Sequence, residues 1–268
     1  MRSCCTPAHL GGRCPTMASI HAYNRAVSAT QAGGNPDQTV TLQHVREIAC
    51  YNDWVFSILR PHLGGRVLEL GCGIGTYSTR LRARARRLTC VDMDPHYVAT
   101  VQALFAGDDD VVVEEGTVGK GLTFPAASFD AIVCLNVLEH IEDDLAALRE
   151  LRSWLAPSGR VLLQVPAHPR LFGSIDTALG HWRRYTRKGL AGILAAAGFD
   201  LVLAPRYLYL LAIPGWWWFG RVRRRTVVPE TTVRIANTMA AMSRSLESLI
   251  RAPAGLTLVA VGQRSGPA

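Results

Sequence analysis

A carboxylate followed by three glycines at alternating positions constrains this chain more than any other stretch. Arg66-Val67-Leu68-Glu69-Leu70-Gly71-Cys72-Gly73-Ile74-Gly75-Thr76 opens with an apolar run that reads as a buried strand. The glycines follow, and Tyr77 to Arg87 reads as the first crossover helix. Strand, glycine loop and helix in that order cradle a nucleotide-like ligand, because bare backbone and a helix N-terminus can both approach it. Glycine allows the tight turn and the close approach. A dinucleotide fingerprint needs G-x-G-x-x-G. Here the third glycine comes one residue early, at Gly75. Glu69 adds a second constraint, since a carboxylate at the strand end repels a pyrophosphate and attracts a cationic ligand group.

The rest of the chain supplies partners for that unit. Apolar runs at 88–91, 111–113, 129–135, 160–165, 201–209 and 256–261 read as further strands, and 95–105, 142–155 and 186–197 as helices. Strands alternating with helices predict an α/β fold, a Rossmann-like, mostly parallel seven-stranded sheet covered on both faces. Residues 39–59 recur at helical spacing and predict one or two helices, a cap over 39–64. Residues 1–38 are rich in Gly, Pro, Ser and Thr and read as loosely ordered, with Met17 as an alternative start. The domain then runs over 65–268, with a substrate-side insert at 206–255.

Composition narrows the class. The chain has 268 residues and a net charge of +8, yet no aromatic–basic repeat of the kind an RNA-reading sheet carries, so no nucleic-acid partner is expected. Its seven cysteines form no C-x-x-C pair, which argues against a zinc site and for a reduced, cytoplasmic protein. No leader pattern is evident. No metal is expected: Asp108-Asp109-Asp110 lies at the wrong end of its strand, and Glu142-Asp143-Asp144 suits the start of a helix. The run Ile213-Pro214-Gly215-Trp216-Trp217-Trp218-Phe219, followed by Arg221, Arg223, Arg224 and Arg225, is too short to span a bilayer. Residues 207–225 read as a substrate lid, a homodimer face or a membrane-surface contact, with the first two favoured.

Several residues carry candidate chemistry. Asp92, at the end of the second strand, stands where a carboxylate binds ribose hydroxyls, and Asp94 is placed to cap the following helix. His140 and His181 have the pKa range for proton transfer. His181 with Arg183, Arg184 and Tyr185 forms a cluster suited to a carboxylate, phosphate or phenolate. The alternative is a structural pin tying that loop to Asp176 or Glu139, and for His140 a loop-steadying role. Tyr51 and Trp54 put polar and aromatic groups on the cap and are candidate substrate contacts.

Val67-Leu68-Glu69-Leu70-Gly71-Cys72-Gly73-Ile74-Gly75, then Val91-Asp92-Met93-Asp94, Ser128-Phe129-Asp130 and Asn136-Val137-Leu138-Glu139-His140-Ile141, occur in an order that resembles the class I S-adenosylmethionine (SAM) methyltransferases, and more closely their bacterial small-molecule, ubiquinone-methyltransferase-like group. The resemblance implies SAM as cofactor. Glu69 and the backbone of Gly71, Cys72, Gly73 and Gly75 would hold its methionine part, Asp92 the ribose, Met93 the adenine face, Thr117 and Val118 the adenine edge, and Asn136 the region beneath the sulfonium. The usual acid before Thr117 is replaced by Gly116. The expected reaction is methyl transfer to an O, N or C atom of a small organic acceptor in secondary metabolism, with a quinone or lipid-like acceptor at a membrane surface as the alternative. A base-amine methyltransferase would carry Asn/Asp-Pro-Pro-aromatic where this chain has Asn136-Val137-Leu138-Glu139. A non-catalytic SAM-binding protein is the remaining rival.

Overall fold

The structure, a computed structural model, describes residues 36–250 and 252–266. The reading of a loose N-terminus falls, over residues 1–35, outside the described residues; residues 36–38 open a helix.

Two helices, α1 (Pro36–Glu47) and α2 (Ala49–Leu59), precede β1 (Arg66–Leu70). There follow α3 (Ser78–Arg82), β2 (Arg87–Asp92), α4 (Pro95–Leu104), β3 (Val111–Glu115), β4 (Phe129–Leu135), α5 (Asp144–Trp154) and β5 (Leu155–Pro166). The second half holds α6 (Ser174–Ala178), α7 (Arg187–Ala196), β6 (Phe199–Leu208), α8 (Ile213–Trp217), α9 (Val233–Leu249) and β7 (Thr257–Arg264). The seven strands lie in the order β3-β2-β1-β4-β5-β7-β6. The first five are parallel. β7 inserts antiparallel between β5 and β6, so one antiparallel strand closes an otherwise parallel sheet.

Alternation along the strands explains why both faces are covered. On β1, Leu68 and Leu70 join Ile132, Leu148, Leu151, Leu163 and Leu190 in one core. Val67 points the other way, into a core with Trp54, Val55, Leu59, Leu81, Leu88 and Leu162. A period-two side-chain pattern with both sets buried is what a sheet sandwiched between helical layers requires. The second core includes α2, and α9 packs across α2.

Local signals set the helix ends. Asp94 caps α4 by accepting the His96 amide at 2.8 Å, with Pro95 in the first turn. Thr186 caps α7. The first crossover helix is shorter than its periodicity predicts, five residues in place of eleven. Arg86 explains the difference: its amide donates to Gly65 O at 2.8 Å, which draws the chain into strand register early. In β6 the register shifts between Leu203 and Arg206, where Pro205 has no amide to donate. No helix among the described residues is long and apolar enough to cross a membrane.

Chain order along the sheet reverses between β1 and β4. In an open α/β sheet the crevice outside the strand C-termini at that point is the place for a ligand.

Candidate functional site

A cavity of about 520 Å³ opens at that crevice. Its floor is the loop after β1. The Gly71 and Cys72 amides both donate to Val91 O, at 2.8 and 3.0 Å, which folds the loop back over β2. Gly71 has φ of +73° and Gly73 of +50°, the left-handed region that glycine enters without cost. A Cβ on Gly71 would stand 2.3 Å from Val137, so the residue is required for space as well as for backbone shape. Asp92 locks the loop from the side: Oδ2 accepts the Gly73 amide at 2.7 Å and Oδ1 the Asp94 amide at 3.0 Å.

The electrostatics of this end are acidic. Glu69 and Asp92 both line the cavity and are nearly fully buried. Burial pushes the Glu69 carboxyl up to about 7, although Cys90 Sγ approaches it at 3.4 Å, and burial also raises Asp92. Among the described residues neither carboxylate pairs with a lysine or arginine. Exposed Lys120 also lines the cavity but pairs with neither carboxylate, so the two buried carboxylates suit a ligand that brings its own positive charge and hydroxyl donors. The remaining cofactor candidates fall around it. Gly75 sits in the same loop. Met93, two-thirds exposed, stands at the rim, while Thr117 and Val118 line the side. Asn136 lies beneath, left-handed at φ +54°, its Oδ1 accepting from Gln164 Nε2 at 3.1 Å.

The cap forms part of the wall, through Gln38, Leu42 and Val45 of α1. Among the hydrogen bonds that hold the cap in place are Thr39 Oγ1 with Tyr97 OH at 2.9 Å, and Tyr77 OH to Asn52 Oδ1 at 3.0 Å. The sequence reading allowed a cap helix to lie across a ligand mouth but offered Tyr51 and Trp54 as its contacts. The structure corrects this. Both are buried behind the sheet, Tyr51 OH donating to Thr257 at 3.0 Å and Trp54 packed in the second core. Their helix has apolar residues on more than one side, so spacing alone could not say which faced inward.

At the opposite end the wall is His140, Ile141, Glu142, Leu179, Gly180 and Trp182. His140 is thus a cavity residue; burial and neighbouring His181 lower it to about 4, so its imidazole is neutral at pH 7. The other members of the predicted cluster lie elsewhere. His181 Nδ1 and Asp176 Oδ1 are 2.9 Å apart, and Arg184 Nε donates to the same oxygen at 2.7 Å. Arg184 also donates to Ala167 O, and Tyr185 OH to Asp144 at 2.8 Å. Arg183 pairs with Asp144 at 3.0 Å. Burial would raise Asp176, but His181 and Arg184 outweigh it and hold the carboxyl below its usual range. His181, Arg183, Arg184 and Tyr185 therefore form the structural pin, with their polar atoms spent on protein partners rather than presented to the cavity.

One cluster escaped sequence reasoning. Glu139 is fully buried and neither carboxylate oxygen has a hydrogen-bond partner. Burial raises it to about 8. Its oxygen lies 4.0 Å from His181 Nε2, and Glu139, His140 and His181 each offer an atom within 4.8 Å of the others. The set has ligand types that suit a divalent cation, a grouping the sequence reading did not name. His181 is distant in sequence from the Glu139-His140 pair, so no local spacing betrays it.

A reversal-point crevice, a glycine loop in left-handed turns and an acidic end to the cavity are the features of the class I SAM-dependent methyltransferase fold. The methyltransferase domain family matches residues 44–204, and the chain belongs to that family. It is 32% identical over 150 residues to a probable SAM-dependent methyltransferase of Mycolicibacterium smegmatis, covering 55% of this chain and 57% of that one. It is 29% identical over 113 residues to a ubiquinone biosynthesis O-methyltransferase of Aeromonas salmonicida, covering 41% and 47%. The chain spans about half the length of the curated relatives it matches. A SAM-dependent methyltransferase from Mesorhizobium loti shares the fold, with a TM-score of 0.55 and 17% identity over 78% of this chain and 95% of that one. The cofactor of this class is SAM, and the site fits it: an ammonium and a sulfonium have Glu69, the ribose has Asp92, and no phosphate has to be accommodated.

Proposed function

We propose that this chain transfers a methyl group from SAM to a small organic acceptor held at the His140–Trp182 end of the cavity. The observation that carries the reading is the polarity of that one cavity: buried carboxylates paired with no lysine or arginine at one end, and at the other a neutral imidazole beside Ile141, Leu179 and Trp182, with Glu142 the one carboxylate in that wall. When bound, SAM supplies an electrophilic methyl on a good leaving group. The protein's part is alignment, exclusion of water and removal of one proton where the acceptor has one. Asp92 and the glycine loop fix the cofactor end. His140 accepts a hydrogen bond from an acceptor hydroxyl. Its basicity is depressed, and Glu139, raised to about 8, holds a proton of its own at neutral pH, so Glu139 can take the acceptor's proton only as it ionises, near pH 8 and above. The relatives named for O-methylation support a hydroxyl as the nucleophile. The readings of secondary metabolism and of a quinone-like acceptor both remain consistent with the apolar walls; the exposed Trp217 and Trp218 favour the second.

The test is twofold. Calorimetry with S-adenosylhomocysteine, the demethylated product, should give a saturable heat that is lost in Asp92→Ala. Labelled SAM should then pass its methyl to a catechol or phenol in preference to an amine. Absence of product binding removes the assignment; transfer to amines alone removes the hydroxyl.

A further inference from the structure

Residues 206–255 lie beyond the family match and carry most of the molecule's charge. Eight arginines against two glutamates give this segment +6 of the chain's +8. One of those glutamates, Glu247, is buried. Arg221, Arg223, Arg224 and Arg225 are exposed, and none pairs with a carboxylate among the described residues.

The same segment exposes apolar surface. Trp217 and Trp218 are each 48% exposed, in the turn of helix just before the arginines. α9 has two apolar faces. Val233, Ala240, Ser243 and Glu247 face the protein. Ile235, Met242, Leu246 and Leu249, spaced by seven, four and three, form a second stripe on the opposite side, and Leu249 is 84% exposed. Among the described residues nothing covers that second stripe. α8 and α9 both pack on the turn Leu210–Ala212, so the two apolar groups belong to one region.

This region is held firmly. Ser174 Oγ donates to Gly220 O at 2.9 Å and approaches Arg225 O at 2.5 Å, and the Arg184 guanidinium lies 4.8 Å above the Trp216 ring. A cleft of about 590 Å³, lined by Trp217, Arg221 and Arg224, opens beside Ser174. The short helix α6, which begins after Gly173, leads to Leu179, Gly180 and Trp182 of the cavity wall.

We propose that the Trp217–Arg225 segment and the outer stripe of α9 form a docking surface for an anionic lipid bilayer. Indoles beside arginines are suited to the headgroup layer, apolar helix faces to the acyl boundary, and unpaired arginines to acidic headgroups. Charge decides against a second copy of the chain as occupant. A two-fold contact would set the +6 segment against itself, and like charges across an interface oppose association. The surface lies one short helix, α6, from the acceptor end of the cavity, which makes it a route for an acceptor that resides in the bilayer.

The full chain is sedimented with vesicles of phosphatidylcholine alone, or of phosphatidylcholine mixed with phosphatidylglycerol, at low and high salt. The protein should pellet with the mixed vesicles and stay behind with the neutral ones, and high salt should release it. Trp217→Ser/Trp218→Ser and Met242→Gln/Leu249→Gln should each cut partitioning by about tenfold, and Arg223→Ser/Arg224→Ser should do the same for the mixed vesicles. Thermal shifts with S-adenosylhomocysteine, unchanged in these variants, show that the cofactor site is intact and separate this outcome from a failure of the assigned reaction. Equal recovery with neutral and anionic vesicles overturns the proposal. So does a concentration-dependent dimer that the same substitutions dissolve.

Discussion

The Asp92 carboxylate accepts the Gly73 amide at 2.7 Å, across nineteen residues of chain. One side chain thus both shapes the glycine loop and faces the ligand. We predict that Asp92→Ala weakens cofactor binding by about tenfold to a hundredfold, the loss of a charge-assisted hydrogen bond worth ~1.5–3 kcal/mol. Titration calorimetry checks this; an unchanged affinity would leave Asp92 a loop brace alone.

Glu69 yields a pH signature. Its carboxyl, raised by burial to about 7, is partly protonated at neutral pH in the empty site. A cationic ligand favours the ionised form. Affinity for SAM should therefore climb as pH rises from 6 to 8, by up to about tenfold per unit. Glu69→Gln should bind more weakly at pH 8 and show a flat profile over the same range. A wild-type profile without slope would remove the carboxylate from ligand contact.

Glu139 links stability to pH with a definite sign. Its folded pKa of about 8 stands above the unfolded value, so the native state holds a proton that the unfolded chain releases. Stability is undiminished below the unfolded pKa and declines as pH rises through 8. Glu69 contributes the same sign up to about 7. His140, lowered to about 4, acts oppositely and costs stability only below its unfolded value near 6.5. Glu139→Gln should melt higher than the parent at pH 8 and near it at pH 5, while losing any rise in turnover near pH 8. Melting curves and initial rates at the two pH values read both effects.

Arg184 tests the structural pin. Arg184→Ala leaves Asp176 buried with His181 alone and empties the face over Trp216. Removing one partner of a buried ion pair costs about 3–5 kcal/mol. Denaturant unfolding should show that loss, and cofactor affinity at a temperature where the protein is folded should stay within about threefold. A kinetic defect without a stability defect would return Arg184 to the acceptor site.

How far the chain reveals itself before folding depends on the range of each interaction. β1, its glycines and Asp92 are legible because each rests on neighbours in sequence: a short apolar run, a turn that needs left-handed backbone, a strand end. The insertion of β7 antiparallel between β5 and β6 has no such local mark, since an apolar strand reads alike in either direction. The cluster of Glu139 with His181, and the use of His181 to hold Asp176, are settled by loops meeting in space. The same holds for α1. Leu42 and Val45 carry no pattern that distinguishes a cavity wall from a core, and contacts distant in sequence, the Thr39–Tyr97 bond among them, place their helix over the mouth.

That bond has a kinetic meaning. A neutral hydroxyl pair is among the contacts that fasten a helix walling the cavity, so loosening it should ease traffic into and out of the cavity. The dwell time of whatever is held beneath should then respond to Thr39, at a distance from the carboxylates that grip it.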